Sequence, residues 1–558
     1  MKAYIKILTA GVFGAAMSLT SCVGDLDLEP NNPNLVPGSA LTEAEYQNVL
    51  NKCYGGLAYS GQTGPNGDCD ISGLDGGTSQ YTRALFMMNE FTTDEAIWIH
   101  ADNGVVDLIT NTWGKDNGNI FGTYSRLYSH IAVCNDFIRQ ASSHSDPAVR
   151  KMVLEARALR AMSYYWVVDI FGQGSFTLDT DVLGSAPEQK SRLFLFNWLD
   201  EELSEIEAQY AEEFPNDQTA YGRVGLDGVQ ALHARLLLNA GVYTSGTVNG
   251  YERCQQLCEQ IIARHQGGGF NGSGLANHYM YLFCASNDRY MPGGSRPAEN
   301  EILWGIPYDA QYTQAYGGTQ FLIAAATCNG SSPEDGYMSA TDYGINNPWK
   351  CMHATEQFSA KFDNNPEDIR CAEWGKESNG FNKANSKYSQ FSDGYAVIKF
   401  TNLIAGEEGE WSEENGGIYG DAPARSETWV DTDLPLIRLA DVYLMYTESY
   451  IMNGTGSADK ALTYVNYVRE RAGVPAWNAG NLTADNILDE RCRELYWELT
   501  RRTDLVRHKK FSGSSYMWAY KGSPLSQSGQ SFRSYMDIMP IPTNIIAAQP
   551  DFNQNPNY

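Results

Sequence analysis

Residues 437–472 read IRLADVYLMYTESYIM, NGTGS and ADKALTYVNYVRERA, covering Ile437–Met452, the junction 453–457 and Ala458–Ala472. The two long stretches read as helices, and Gly454 and Gly456 mark the turn that reverses the chain between them. Working outward, the same design recurs. Leu226–Tyr243 and Tyr251–His265 form a second pair across Gly246 to Gly250. Glu43–Tyr59 and Gly122–Gln140 form an earlier one. Met152–Ile170 carries Leu154, Ala158, Ala161 and Tyr165 along one helical face, and Gly172 and Gly174 stop it. Phe194–Tyr210 sets Trp198, Leu203 and Ile206 inward and Glu201, Glu202 and Glu205 outward. Asp485–Lys509 reads as one long amphipathic helix with Leu488, Cys492, Leu495 and Leu499 inward.

Antiparallel pairs recurring at roughly 30-odd residues predict a mainly α chain with a tetratricopeptide-like scaffold. Irregular spacing and long insertions argue against a plain solenoid. The scaffold falls at about 41–60, 120–265 and 434–510 of a single domain, 41–558. Residues 60–119 and 266–430 are dense in Gly, Asn, Tyr, Trp and Pro and lack helical period. A few short strands are expected there, at Glu301–Ile306 and Ala396–Phe400. Irregular stretches of that length inside a compact domain usually carry function.

Composition narrows the class. Of 558 residues, 67 are Asp or Glu and 40 are Lys or Arg, a formal charge of −27. With 42% hydrophobic and 12% aromatic residues, the chain is not intrinsically disordered. Its acidity argues against a nucleic-acid partner, whose phosphates are bound by Lys and Arg. Some of the rings belong to helix packing, such as Tyr164, Tyr165, Trp166, Tyr443, Tyr446 and Trp497. The remainder lie in the Gly/Asn-rich stretches, where core packing explains them less well.

The N-terminus reads as an address. Lys2 and Lys6 precede an uncharged apolar run, Ile7 to Leu19, which is too short to span a bilayer and suits a signal peptide over 1–21. Leu19-Thr20-Ser21-Cys22 resembles a bacterial lipobox, which implies lipidation of Cys22. Residues 22–40, with Asp25, Asp27, Glu29 and the Pro/Asn-rich tract Pro30 to Pro37, read as an acidic tether. No other apolar run is long enough to span a membrane. Ten further cysteines are scattered, and their disulfide pairing stays open, with Cys328, Cys351 and Cys371 as examples.

Motifs for chemistry are scarce. There is no His-Glu-x-x-His, no Gly-x-Ser-x-Gly and no Walker loop. Gly267 to Gly272 fits Gly-x-Gly-x-x-Gly but follows a helix, so it fails the dinucleotide context. Asp68, Asp70 and Ser72 resemble the first half of a calcium loop, yet the twelfth position is Ser79 rather than Glu. No carboxylate pair stands out among 67, so no catalytic residue and no cofactor are nominated.

Several blocks together carry a family resemblance: Leu434 to Glu448, Ala461 to Gly473, Ile487 to Leu495, Arg502 to Leu505, Met539 to Pro542 and Gln554 to Tyr558. Glu155 to Gly172 and Thr93-Asp94-Glu95 add to them. In that order, and with the lipobox, they resemble the SusD/RagB family of outer-membrane nutrient-binding lipoproteins of Bacteroidetes over nearly the whole chain. Two positions depart from the pattern, Leu499-Thr500-Arg501 where a Glu-Gly often stands and Asn544 where an acid is common.

The resemblance implies capture of an oligosaccharide, or in some members a peptide, without catalysis. It also implies delivery to a TonB-dependent, SusC-like transporter in the outer membrane. Trp98 stands where the family commonly places a sugar-stacking ring. Tyr312, Tyr316 and Trp349 are further stacking candidates, with Asn103, Asn346 and Asn347 as polar partners. Arg469, Arg471, Glu490, Arg491, Arg493 and Glu494 are expected to form ion pairs between helices rather than a site. The acidic body favours a neutral glycan over a polyanionic one. A helical glycan-cleaving hydrolase and a ligand-free adaptor are the competing classes.

Overall fold

The structure is a computed structural model of the 558-residue chain. It describes residues 41–558 apart from 217–218, 286, 289–297, 299, 331–337, 366, 372–390, 392–393, 397–398, 406–418, 424, 520 and 523–528. The expected signal peptide, Cys22 and the tether lie outside the described residues.

The helices that build the scaffold are α1 (Glu43–Ala58), α2 (Tyr81–Asn89), α3 (Gly118–Ala141), α4 (Pro147–Trp166), α5 (Arg192–Glu213), α6 (Leu226–Leu238), α7 (Tyr251–His265), α8 (Gly318–Ala326), α9 (Leu439–Asn453), α10 (Ala458–Arg471), α11 (Ala484–Leu495) and α12 (Arg501–Arg507). Local chemistry starts and stops them. Thr42 and Glu45 form a reciprocal capping box on α1. Asp146 caps α4, whose first residue is Pro147. Gly454, with φ of 68°, ends α9 in the left-handed region, and Ser457 caps α10.

Neighbours in sequence are neighbours in space. α1 packs on α3 and α4, then α4 on α5, α5 on α6, α6 on α7, α7 on α9 and α9 on α10. This is the tetratricopeptide-like stack of helix pairs, and about half of the described residues are helical. The strands are short: β1 (Ile97–Trp98), β2 (Gly174–Phe176), β3 (Glu188–Lys190), β4 (Ile302–Ile306), β5 (Met352–His353), β6 (Leu403–Ala405), β7 (Tyr419–Pro423), β8 (Leu434–Arg438), β9 (Gly513–Trp518) and β10 (Gln530–Phe532). They form two-stranded antiparallel ribbons, β1 with β5, β2 with β3, β4 with β8, β6 with β7 and β9 with β10.

Four expectations need correction. The stretch 485–509 is two helices rather than one, because Trp497 (φ 63°) and Leu499 (φ 67°) adopt left-handed backbone between α11 and α12. Such a conformation costs on the order of 1–2 kcal/mol per residue. Glu95 helps offset it by accepting from the Trp497 backbone N–H at 3.0 Å, and its carbonyl takes the indole N–H at 3.0 Å. Second, α2 and α8 lie in stretches read as irregular. Both are buried on almost every side, so they show no polar stripe for a 3.6-residue period to reveal. Third, Glu202 faces inward at 7% exposure and pairs with Arg157 and Arg160. Fourth, Ala396, Lys399 and Phe400 carry no strand, and the nearby strand is β6. No disulfide joins any two of the ten described cysteines.

The charged motif residues form a buried ion network. Arg438 contacts Glu301 (2.6 Å), Glu494 (3.0 Å) and Glu498 (2.6 Å). Glu494 also receives Arg370 (3.1 Å) and Arg471. Arg370, Arg469 and Arg493 converge on Glu490. Beside it, Arg491 joins Asp441 and Asp504 at 2.8 Å each, and Arg507 joins Glu448 and Asp504 at 2.6 Å each. Burial opposes the charge on Glu490 and Glu494, but the surrounding arginines outweigh it and hold both carboxyls below the usual range.

A third charged cluster is pH-sensitive. Buried His233 on α6 bridges Asp200 (2.7 Å) and Glu207 (2.6 Å) of α5, and Arg253 of α7 also reaches Asp200. Burial disfavours the imidazolium, yet the two carboxylates overcome this and raise its pKa above 6.5. A raised folded-state pKa stabilises below the unfolded value and is lost as pH climbs through the folded one. His233→Gln is therefore expected to lower the urea midpoint more at about pH 6 than at about pH 9. An equal loss at both would show that the imidazole is neutral in the fold.

Candidate functional site

Three of the four nominated rings meet in one place. Trp98, Tyr316 and Trp349 line a cavity of 550 Å³ together with Arg83, His100, Cys351 and the loop residues Asn66, Asp75 and Gly77.

Each ring is placed by a different element. The segment carrying Trp98 is anchored by the residues before it. Asp94 accepts both guanidinium arms of Arg501 at 2.8 Å and the Tyr516 hydroxyl at 2.7 Å. Burial opposes its charge, but Arg501 holds the carboxyl well below the usual range. β1 then pairs with β5, Trp98 opposite Met352, and Ile99 N–H donates to Cys351 O at 3.0 Å. This register brings the Trp349 strand end beside Trp98.

Trp349 and Cys351 donate their N–H groups to Ala324 O (2.7 Å) and Ala325 O (2.9 Å). They thereby satisfy carbonyls that the C-terminal end of α8 leaves open. Tyr316 sits just ahead of α8. Gly317 lets that junction pack closely on α2, since a Cβ there would lie 2.0 Å from Gln80 Oε1. Gln80 is itself the cap of α2.

Phe321 on α8 is the shared floor. Trp98 stacks on it at 6.0 Å and 23°, and Trp349 leans on it at 6.1 Å and 52°. Tyr316 meets Trp349 edge-on at 5.9 Å and Trp429 at 5.3 Å. The Trp98 indole N–H donates to Asp102 Oδ2 at 2.6 Å, and the Tyr316 hydroxyl to Asn66 Oδ1 at 2.8 Å. The polar tips are thus held while the rings border the cavity.

Arg83 of α2 lies under this group. Its guanidinium is 4.7 Å from the Phe321 ring and 5.4 Å from the Trp349 ring, and it donates to Tyr316 O at 3.0 Å. Its Nε is buried with no hydrogen-bond partner among the described residues. Burial lowers its pKa to about 10, so it stays cationic at neutral pH. The geometry offers flat apolar faces with spare donors. Among the described residues it shows no cluster that could hold a metal ion.

Residues 378–558 match the family model described as the SusD family. Over its whole length the chain is 29% identical to the starch-binding protein SusD of Bacteroides thetaiotaomicron, covering 99% of that protein. The chain is similar to the SusD family over its whole length. Solved structures share the fold. The surface glycan-binding protein A of Bacteroides thetaiotaomicron, in complex with laminarihexaose, superposes with a TM-score of 0.64 at 21% identity, over 93% of this chain and 100% of that one. A SusD superfamily protein from Parabacteroides distasonis gives 0.66 at 18% identity, over 93% and 100%.

The other nominated residues lie elsewhere. Tyr312 is 66% exposed and borders a neighbouring cavity. Asn103 is exposed, and its carbonyl receives the Asn119 side chain at 3.4 Å. Asn346 and Asn347 bind the Thr428 hydroxyl and carbonyl, which holds the 426–429 turn. None of these three asparagines lines the cavity. Asp70, the centre of the calcium-loop candidate, gives both carboxylate oxygens to Arg126, at 2.8 and 2.9 Å, while Asp68 and Ser72 are exposed. Arg83 escaped the sequence reading because α2 has no visible period. Its partial burial on a helix otherwise fully buried is the one signal, and it needs the helix to be seen first.

Proposed function

We propose that this chain is a non-catalytic, cell-surface glycan-binding protein. The observation that carries this is the convergence of Trp98, Tyr316 and Trp349 on one cavity above a shared Phe321 floor. Sugar recognition needs flat apolar faces for the CH-rich sides of the ring and a few placed polar groups for hydroxyls. Arg83, Asn66, His100 and Asp75 supply polar groups beside the three rings. A relative named for starch binding and a structural neighbour carrying laminarihexaose point to the same ligand class.

The N-terminal sequence extends the proposal. Lipidation at Cys22 anchors the domain to the outer membrane through the tether, and a TonB-dependent transporter receives the captured glycan. No described helix is long and apolar enough to cross a membrane. Titration calorimetry with maltoheptaose and laminarihexaose tests the binding. The expected result is saturable binding of at least one, with no shorter sugars released after prolonged incubation. Release of shorter products would make the protein a hydrolase. Absence of binding to these and to a broad glycan array, with binding to peptides, would overturn the glycan reading.

A further inference from the structure

A second cavity of 670 Å³ lies next to the first, and nothing above assigns it. The two share their walls. The loop 61–77 gives Gln62, Gly64 and Asp70 to the second cavity and Asn66, Asp75 and Gly77 to the first. The loop 309–316 gives Gln311, Tyr312 and Gln314 to the second and Tyr316 to the first. The hydrogen bond from Tyr316 to Asn66 ties these loops together at the partition.

The lining has the same chemistry as the first site. Tyr59 and Tyr312 are its rings, and Asn51, Gln62, Gln311 and Gln314 are its amides. Tyr312 is unusual in being two-thirds exposed on a fixed backbone. Asp309 Oδ1 accepts from the N–H groups of Gln311 (2.8 Å) and Tyr312 (3.0 Å), and the Tyr59 hydroxyl donates to Tyr312 O. Asp309 is held in turn by Arg425 at 2.7 Å. The ring is therefore presented outward, and its backbone is already ordered. Charge in the cavity is largely cancelled. Arg126 is paired with Asp70, and burial pushes the His130 pKa down to about 4, which keeps that ring neutral. Lys52 is the remaining charged group among the lining residues, and it is exposed.

We infer that the second cavity is a further subsite for the same neutral oligosaccharide chain, so that a long glycan runs from the Trp98–Trp349 cavity across the Tyr316–Asn66 partition onto Tyr312. This rests on the glycan reading above. The test compares short and long ligands, maltotriose with maltoheptaose and laminaritriose with laminariheptaose, on the wild-type chain, Tyr312→Ala, Tyr312→Phe and Trp349→Ala. Tyr312→Ala is expected to weaken heptasaccharide binding about fivefold and leave trisaccharide binding unchanged, while Tyr312→Phe keeps both. Trp349→Ala weakens both lengths. If Tyr312→Ala binds both lengths as the wild type does, or loses both equally, the second subsite is wrong while the first stands on Trp349→Ala. If no length of either sugar depends on Trp349, the glycan reading of the first cavity fails and the extension falls with it.

Discussion

Arg438→Met is expected to lower the free energy of unfolding by about 3–5 kcal/mol, the range for removing one partner of a buried ion network. Arg438 is fully buried and faces three carboxylates, Glu301, Glu494 and Glu498. Arg471 remains on Glu301 and Glu494, Arg370 on Glu494 and Lys399 on Glu498, so the loss is partial. The three carboxylates left behind lose the one cation that all of them share, in a site that water does not reach. Against a typical stability of about 5–15 kcal/mol this is a large fraction. The urea midpoint and the thermal midpoint should both fall. Arg438→Lys should recover only part, since one ammonium cannot reproduce the guanidinium fork that serves Glu498 and Glu494 together. A midpoint within experimental error of the wild type would mean that this network is not needed for stability.

Trp349→Ala is expected to weaken glycan binding tenfold or more, about 1.4 kcal/mol or greater. The ring is partly exposed at the cavity wall and leans on Phe321 and Tyr316. Truncation removes a stacking face and uncovers the Arg83 guanidinium that sits 5.4 Å from it. The effect should appear in calorimetry with only a small change in thermal midpoint. Trp98→Ala should lose comparable affinity but also stability. At 9% exposure Trp98 packs on Phe91 and Phe321, and large-to-small changes in a core cost about 3–5 kcal/mol. Trp349 therefore separates binding from folding more cleanly. Normal binding of a confirmed glycan by both variants would place the site elsewhere.

The helix pairs were legible because their sequences alternate faces. Tyr251–His265 matches its predicted bounds, and Glu43–Tyr59 and Ala458–Ala472 differ by one residue at one end. What stayed hidden was wherever both sides of an element are buried. The α2 and α8 helices read as loops for that reason, and the break at Trp497 and Leu499 read as continuous helix because both residues are buried like their neighbours. The charged motifs were legible as scaffold, and Arg469, Arg471, Glu490, Arg491, Arg493 and Glu494 indeed sit in ion pairs. For the site, ring type and loop context brought three of four aromatic positions to one cavity. The three asparagines lie outside that cavity, because an amide in a loop serves its own backbone as readily as a ligand, as Asn346 and Asn347 do with Thr428. Tyr312 was grouped with Tyr316 by proximity in sequence, yet the turn capped by Asp309 turns it to a different cavity.

The shared Phe321 floor makes the two tryptophans one caliper. Neither indole can shift without disturbing a side chain that the other also rests on, and their separation is set by a helix whose residues do not line the cavity. A glycan that meets them gains little from making them tidier, because the loss of side-chain freedom has already been taken during folding. On the proposed function, selection among glycans then becomes a matter of curvature. A chain whose natural bend follows the fixed gap between the rings can lie on both, and a straighter or tighter one must give up one face or distort itself.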